Sequence, residues 1–199
     1  MISTLSKKHN FDPVFDSQQV FRLLLEAMSN PTKVVNIKEY ADKLYGGNPV
    51  FLALAMTLLD NETGFYTCGD LALQEDITAL TLARNEQIGC ADFIFVGDGG
   101  PDGPQSCLKS VIEKAKCGAL ADPHLSATVI IQNEGEHDIP LTLHGPGIDG
   151  HIVVRTTHTV TEALSARDAQ YYEYPQGIDL IFVAGEGDLF AIPRLTRLL

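Results

Sequence analysis

Basic residues are scarce in this chain. Its 199 residues include 14 Lys and Arg against 26 Asp and Glu, which gives a net charge of −12 at neutral pH. A nucleic-acid interface needs clustered Lys and Arg at the phosphates, and anionic membrane surfaces attract the same residues. The composition therefore argues against a nucleic-acid partner and against binding to a membrane surface.

Long apolar runs are also missing. No stretch reaches the roughly 20 apolar residues that a membrane-spanning helix needs. The first ten residues are polar and include Lys7 and Lys8, so they do not resemble a secretory signal peptide. We therefore expect a soluble protein of the cytoplasm.

Common sequence signatures of catalysis are absent too. The four cysteines form no C-x-x-C pair, and the chain lacks the G-x-S-x-G, H-E-x-x-H and cysteine–histidine signatures. The cysteines are predicted to be reduced and to pack as small apolar side chains. No residue stands out as a nucleophile, so no catalytic residue is predicted.

The most informative segment that is present covers residues 174–199. A turn at 175–177 precedes an apolar strand at 178–184, and a Gly-Glu-Gly-Asp turn leads to a second strand at 189–192. The first strand is apolar on both faces, which is typical of a strand inside a sheet that is covered on both sides. Pro193 and Arg194 are expected to end the strand pairing.

Helical and strand patterns alternate along the rest of the chain. Asp16 or Ser17 is expected to cap the first helix and Asn48 the second. The sequence predicts one α/β domain over residues 13–199, a mixed sheet flanked by helices, after a loose arm at residues 1–12. The predicted helices lie at about 16–29, 50–59, 72–83, 106–116 and 161–171, the strands at 33–38, 65–68, 92–96 and 127–132, and a hairpin at 141–144 and 151–155.

A glycine-rich segment at 97–104, G-D-G-G-P-D-G-P, follows a predicted strand and precedes a predicted helix. Backbone N–H groups in such a place can bind phosphate. Here Asp102 replaces the third glycine of that pattern, two prolines remove N–H donors, and Asp98 adds negative charge. We therefore predict a surface loop rather than a phosphate site.

Histidines recur every seven residues, at 137, 144, 151 and 158. Prolines and glycines between them exclude a continuous helix, but a hairpin turn at 145–150 would place His144 opposite His151. With a carboxylate such as Asp149, two imidazoles can hold a transition metal. Isolated hairpin histidines are commoner than such sites. No metal is therefore the favoured prediction, and a metal at His144 and His151 is the alternative.

Four charged residues, Arg22, Asp60, Asp179 and Arg194, end or flank predicted buried segments. A buried charge is normally paired, so structural ion pairs are the favoured interpretation. The alternative is that Arg22 or Arg194 forms a recess for a phosphate or phosphonate oxyanion.

Seven segments of the chain, taken in order, form a family-like pattern. They are F-R-L-L-L-E-A-M-S-N-P at 21–31, M-T-L-L-D-N-E-T at 56–63, A-D-F at 91–93, D-P-H-L-S-A-T at 122–128, L-H-G-P-G-I at 143–148, Y-P-Q-G-I-D-L-I-F at 174–182 and A-I-P-R at 191–194. Together they resemble the PhnH family, subunits of the bacterial carbon–phosphorus lyase core complex. Two places depart from the family pattern. Thr32 stands where a glycine is usual, and Leu195 and Thr196 stand where two threonines are usual.

This resemblance implies an accessory subunit without an active site of its own. Such a subunit would form homodimers, assemble with the other lyase subunits, and support transfer of an alkylphosphonate to the ribose of ATP with loss of adenine. The resemblance also implies a fold like the large domain of pyridoxal-phosphate-dependent transferases. That cofactor needs a lysine late in the chain for its Schiff base. No lysine follows Lys116, so no cofactor is expected.

Two other functions remain open from the sequence. One is a free-standing phosphonate- or nucleotide-binding enzyme that uses Arg22 or Arg194 for the anion and a metal at His144 and His151. An acidic protein repels polyphosphates unless it has a local basic site, which disfavours this function. The other is a metabolic α/β protein unrelated to phosphonates.

Overall fold

The computed structural model describes residues 9–97 and 105–199, apart from the side chains of residues 105 and 106. The glycine-rich segment predicted as a loop lies outside these residues from position 98 to 104. The helices are α1 (Phe15–Ser29), α2 (Lys38–Ala41), α3 (Pro49–Leu58), α4 (Leu71–Thr81), α5 (Gln105–Lys114) and α6 (His158–Asp168). The strands are β1 (Val35–Asn36), β2 (Gly64–Tyr66), β3 (Arg84–Asn85), β4 (Phe93–Val96), β5 (Thr128–Gln132), β6 (Ile139–His144), β7 (Ile152–Thr156), β8 (Asp179–Val183), β9 (Asp188–Ile192) and β10 (Arg197–Leu198).

A seven-stranded sheet organises the chain, with strand order β1-β9-β8-β5-β4-β2-β3. The strands from β8 to β3 pair in parallel, whereas β9 runs antiparallel to both β8 and β1. The sequence-based prediction of a mixed α/β sheet is confirmed. Each pair of neighbouring parallel strands is joined by a connection that contains a helix, namely α4, α5 or α6.

Helices and a second sheet cover the two faces of this large sheet. Successive side chains of β8 point to opposite faces of the sheet. Ile181 and Val183 lie in an apolar cluster with α1, α3 and α4. Leu180 and Phe182 enter a second cluster with α5 and α6. All five residues of β8 are buried, which confirms the prediction of a strand covered on both sides.

The start of α1 differs from the prediction. Asp16 does not cap the helix. Instead Asp12 Oδ1 accepts hydrogen bonds from the N–H groups of Val14 at 2.8 Å and Phe15 at 2.9 Å. Asp16 lies in the first helical turn, where its carboxylate pairs with Lys43 at 2.7 Å. By contrast, the predicted cap at Asn48 is confirmed, because its side chain accepts a hydrogen bond from Phe51 N at 3.0 Å.

The segment after α1 was predicted as one strand at 33–38. Only Val35–Asn36 forms a strand there, and the backbone turns into the short helix α2 at Lys38. Residues 1–8 of the expected arm lie outside the described residues. Residues 9–12 contact the domain, since Asn10 N donates to Lys43 O at 2.9 Å and Phe11 is buried in the core.

A second, three-stranded sheet packs against the large one, with order β10-β6-β7. Its β6–β7 hairpin confirms the hairpin predicted from the sequence. The pairing of β8 with β9 ends at Ile192, which confirms the prediction that Pro193 and Arg194 end it. The chain then crosses to the second sheet and pairs again as β10, a strand that the sequence did not predict. Within the described residues, no helix is long and apolar enough to cross a membrane.

Candidate functional site

Five of the seven family-like segments contribute residues to one cavity of about 450 Å³. Its walls come from the end of α1, a 3-10 turn at Pro123–Leu125, the β6–β7 turn, the loop before β8, and the loop between β9 and β10. Four of its wall residues are prolines, which hold the surrounding loops in fixed conformations. The lining residues are Met28, Pro123, His124, Pro146, Pro175, Asp179, Pro193, Arg194, Leu195 and Thr196.

An ion pair between Asp179 and Arg194 forms the polar part of this cavity. Asp179 begins β8 and Arg194 follows β9, so the antiparallel pairing of these strands brings the two residues together. Asp179 accepts from the Arg194 backbone N–H at 2.7 Å and from its Nε at 3.1 Å, and it also accepts from Nη2. Arg194 Nη1 donates to the carbonyl oxygen of Pro123. Most of the guanidinium's donors are therefore bound to the protein itself.

A close backbone approach supports this ion pair. Gly177 has φ +147°, and a Cβ atom there would lie 3.0 Å from Arg194 Cβ. A side chain at 177 would push against the arginine stem and would strain the backbone as well. The glycine in the Y-P-Q-G-I-D segment thus keeps room for Arg194.

Arg167 of α6 is the buried charge that sequence reasoning missed. Its side chain is 0% exposed. It donates to the carbonyl oxygens of Ile192 at 3.3 Å and Pro193 at 3.2 Å, and to that of Thr196. Burial lowers the pKa of this guanidinium, and the neighbouring Asp168 opposes the shift. Arg167 therefore satisfies the carbonyl groups of the loop that carries Arg194.

Asp168 completes the network around this loop. It accepts from Arg197 Nη1 at 3.1 Å and from the Leu198 N–H at 3.0 Å, which fixes β10 against α6. We call Arg167, Asp168, Asp179, Arg194 and Arg197 the C-terminal clamp. Together these side chains join α6, β8, the 3-10 turn and β10.

Arg22 and Asp60 do not line this cavity. Arg22 is exposed on α1. Asp60 is exposed after α3, where it accepts from Thr63 Oγ1 at 2.6 Å and Glu62 N at 3.0 Å. The Thr63 hydroxyl is the main cause that lowers the pKa of Asp60. Of the four charged residues singled out from the sequence, the structure brings only Asp179 and Arg194 together.

The two hairpin histidines lie where the sequence predicted them. Leu143 pairs with Ile152, and continuing that register sets His144 opposite His151. His144 is half-buried and also pairs with Arg197 of β10, whereas His151 and Asp149 are exposed. Across residues 9–97 and 105–199, no group of three or more His, Cys, Asp or Glu residues is placed to hold a metal ion. The alternative of a His144–His151–Asp149 site is therefore not formed in the structure.

Thr32, which stands where the family pattern has glycine, has φ +71°. Left-handed backbone is costly for a β-branched residue. The Thr32 N–H nevertheless donates to Ala191 O at 3.1 Å. The departure from the pattern thus leaves the left-handed turn in place.

Comparison with known proteins agrees with the segment pattern. The sequence model of a family described as "Bacterial phosphonate metabolism protein (PhnH)" matches residues 9–199. The chain is 29% identical over 196 residues to the alpha-D-ribose 1-methylphosphonate 5-triphosphate synthase subunit PhnH of Rhizobium meliloti (strain 1021), covering 94% of this chain and 92% of the relative. It is 26% identical over 185 residues to the putative C-P lyase subunit protein HtxG of Stutzerimonas stutzeri, covering 91% and 85%.

Proposed function

Because the chain belongs to the PhnH family of bacterial phosphonate metabolism proteins, we propose that it is an accessory subunit of a carbon–phosphorus lyase complex. In that role it supports transfer of an alkylphosphonate to the ribose of ATP with loss of adenine, and it performs no catalysis of its own. The match to the family over residues 9–199 carries this proposal. The names of both relatives, a triphosphate synthase subunit and a putative lyase subunit, support it.

The environment of Arg167 and Arg194 supports a role without catalysis. Arg167 and Arg194 direct their donors to backbone carbonyls and to Asp179. A catalytic or phosphate-binding arginine needs free donors aimed at the substrate oxygens. Both side chains instead stabilise the fold around the cavity, and their loss is expected to act first on stability.

A pyridoxal phosphate cofactor does not fit the lysines of this chain. Its Schiff base needs a lysine, which in that fold comes late in the chain, and no lysine of this chain lies beyond position 116 of 199. Lys116, the last lysine of the sequence, pairs with Asp92. We therefore propose that the chain has no cofactor, even if its fold is like the large domain of the transferases that use one. Location in the cytoplasm, where the complex's substrate ATP is available, is part of the same proposal.

The homodimer belongs to the proposal as well, and we assign it to the outer face of α1. Val14, Phe21 and Leu25 are 68%, 45% and 49% exposed. With 100° per residue, they and Met28 form one stripe about 20 Å long. We call these four residues the α1 stripe. A two-fold dimer pairs such a patch with its own copy.

Charge complementarity favours a second copy as the occupant of the α1 stripe. Arg22 and Glu26 flank the stripe on the same side, and both side chains reach solvent, Glu26 while it is paired with Lys33 of its own chain. In an antiparallel pairing of two α1 helices centred near residue 24, Arg22 of each copy meets Glu26 of the other. Opposite charges at such flanking positions set the orientation of paired helices.

Co-expression tests the proposed function. The chain, carrying an affinity tag, is produced together with the other lyase subunits of its source, and the purified material is assayed for triphosphate synthase activity. We expect the subunits to co-purify in a fixed ratio and the activity to need this chain. A matched preparation that lacks only this chain is the control. Assembly and full activity in that preparation would contradict the proposal.

A free-standing phosphonate- or nucleotide-binding protein is the second candidate function. It rests on one observation: Arg194 and His124 both line the same cavity. Calorimetric titration of the isolated protein with ATP, methylphosphonate and Zn²⁺ separates the two functions. An accessory subunit is expected to give no binding heat, whereas saturable heat that is lost in Arg194→Gln would favour the second candidate.

A further inference from the structure

Two cysteines that are far apart in the sequence lie at one edge of the large sheet. Cys68 follows β2, in the turn that leads to α4, and Cys107 lies in the first turn of α5. The strands β2 and β4 are parallel neighbours, with Tyr66 opposite Ile94. The segment after β2 and the helix after β4 therefore begin at the same edge, where the carboxyl ends of the parallel strands meet.

The thiol groups of Cys68 and Cys107 are hydrogen-bonded to each other. Both side chains are half-buried and pack against the apolar cluster between the large sheet and α5. Cys68 has φ +54° in a turn closed by a hydrogen bond from Asp70 N to Thr67 O at 3.1 Å. This turn fixes the position of one thiol beside the other.

The two thiols differ in acidity. The hydrogen bond from Cys68 is the main cause that lowers the pKa of Cys107 to about 7, and burial opposes it. The same hydrogen bond, together with burial, raises the pKa of Cys68. Near neutral pH, Cys107 is therefore partly ionised, whereas Cys68 keeps its proton. A thiolate is the nucleophile in thiol–disulfide exchange.

We propose that Cys68 and Cys107 form a reversible redox pair that a small-molecule disulfide, such as oxidised glutathione, closes into a disulfide. The Cys107 thiolate attacks one sulfur of oxidised glutathione and releases one glutathione thiolate, leaving a mixed disulfide on Cys107. Cys68 then attacks the Cys107 sulfur and displaces the second glutathione, and the proton of Cys68 passes to this departing thiolate. Two protein thiols are oxidised to one disulfide, and one glutathione disulfide is reduced to two thiols.

The closed disulfide would tie the turn after β2 to the beginning of α5. In open α/β sheets, ligands bind beside the carboxyl ends of the strands. Formation of the disulfide therefore restricts the motion of the turn after β2 and of the first turn of α5. Disulfides in reducing compartments are mostly transient and redox-sensing, which is the behaviour of a pair that opens again when reduced glutathione is in excess.

The chain supplies its own control thiols. Cys90 is exposed, and Cys117 is half-buried with its thiol directed to Gly118 O at 3.6 Å. Reaction governed by exposure alone would modify Cys90 first. Reaction governed by the thiol pair would modify Cys107 first and then link it to Cys68.

The test uses the full-length protein in buffers with graded ratios of reduced to oxidised glutathione. Free thiols are trapped with iodoacetamide, and peptide mapping by mass spectrometry locates each product. We expect a Cys68–Cys107 linkage that forms and reverses with the ratio, while Cys90 and Cys117 stay open to alkylation. Glutathione found mainly on Cys90, or Cys68 and Cys107 both alkylated at every ratio, would overturn the proposal.

Two variants separate the roles of the two thiols. Cys68→Ser is expected to stop at a glutathione adduct on Cys107, because the resolving thiol is missing. Cys107→Ser is expected to show neither linkage nor adduct on Cys68. In the parent protein, the alkylation rate of Cys107 should rise with pH around a midpoint of about 7. An unchanged midpoint in Cys68→Ala, which has no donor at this position, would contradict the assigned hydrogen bond.

Discussion

The C-terminal clamp and the α1 stripe differ in which side chains they bury and which they expose. In the clamp, five charged side chains turn inward and bind backbone carbonyls and one another. On α1, apolar side chains turn outward, with Phe21 and Leu25 nearly half exposed. The polar groups of the clamp form hydrogen bonds within one chain, whereas the apolar side chains of the stripe remain accessible to another chain. The difference separates residues that stabilise the fold from residues that we propose for association.

Replacing the buried arginine of the clamp is the largest expected perturbation. Arg167→Met keeps the length of the side chain but leaves three backbone carbonyls without their donor. We expect a loss of about 3–5 kcal/mol in the free energy of unfolding, the range found when a buried charged partner is removed. Urea titration followed by circular dichroism measures it.

Arg155→Met is the matched control for this change. Arg155 also donates to two backbone carbonyls, those of His137 and Asp138, but it is exposed. Its replacement is expected to cost less than about 0.5 kcal/mol. Equal losses for both variants would show that burial of the clamp does not matter to stability.

Arg194→Ala is expected to have the next largest effect. It removes the partner of a nearly buried carboxylate, and we expect a loss of about 2 kcal/mol, typical of hydrogen bonds to charged groups. Asp179→Asn should cost a similar amount, and the double variant less than the sum, because the two residues share one interaction. Thermal unfolding of the single and double variants checks this. Unchanged stability combined with lost complex activity would instead assign Arg194 to substrate.

Thr32→Gly tests the junction between the two regions, since Thr32 follows α1 and is hydrogen-bonded to β9. Its φ of +71° costs a threonine about 1 kcal/mol or more, a cost that glycine does not have. We therefore expect this variant to gain up to about 1 kcal/mol in stability. Gln19→Gly, at an exposed position inside α1, is the control and should lose stability, because glycine is a poor helix former in a helix interior. A loss in both would contradict left-handed strain at Thr32.

The smallest effect on stability is expected on α1, together with the largest effect on association. Arg22→Glu should leave the free energy of unfolding within about 0.5 kcal/mol of the parent. It should also shift the protein from dimer to monomer in light-scattering chromatography, because it places like charges opposite each other. The double variant Arg22→Glu/Glu26→Arg should restore the dimer.

An exposed apolar residue outside the stripe supplies the control for this experiment. Val153 is 61% exposed on β7, and Val153→Ser should not alter the mass in solution, whereas Phe21→Ser should. A parent protein that is monomeric at all concentrations would remove the dimer from the proposal. Dimers that survive both Phe21→Ser and Arg22→Glu would move the interface to another surface.

The large sheet was predictable because its strands carry strong local patterns. The segment at 178–184 is apolar on both faces, and that pattern alone indicates a central strand. The hairpin register that faces His144 with His151 also follows from local sequence, since the turn between them sets the pairing. In both cases the residues that determine the structure are close to one another in the sequence.

The clamp was not predictable in the same way. Arg167 lies seven residues after Val160 and three residues after Leu164, so it falls on the buried face of α6. The helix was predicted to begin three residues late, at 161, and its buried stripe was not identified. The partners of Arg167 are carbonyl groups 25 to 29 positions away, and a backbone carbonyl has no signature in the sequence. The short strand β10 was missed because Pro193 indicates an end and two residues are too few for a periodic pattern.

The pairing of β1 with β9 has a consequence for how the molecule folds. Asn36 donates its side-chain amide to Asp188 across 152 positions of the chain. Contacts between such distant positions form late, because closing the long intervening segment costs conformational entropy. Until α1 and β1 arrive, β9 is an apolar strand with an open edge, and such edges recruit other chains into aggregates. We therefore expect α1 and β1 to cover that edge during folding, so that their slow arrival, rather than low final stability, limits the yield of native protein.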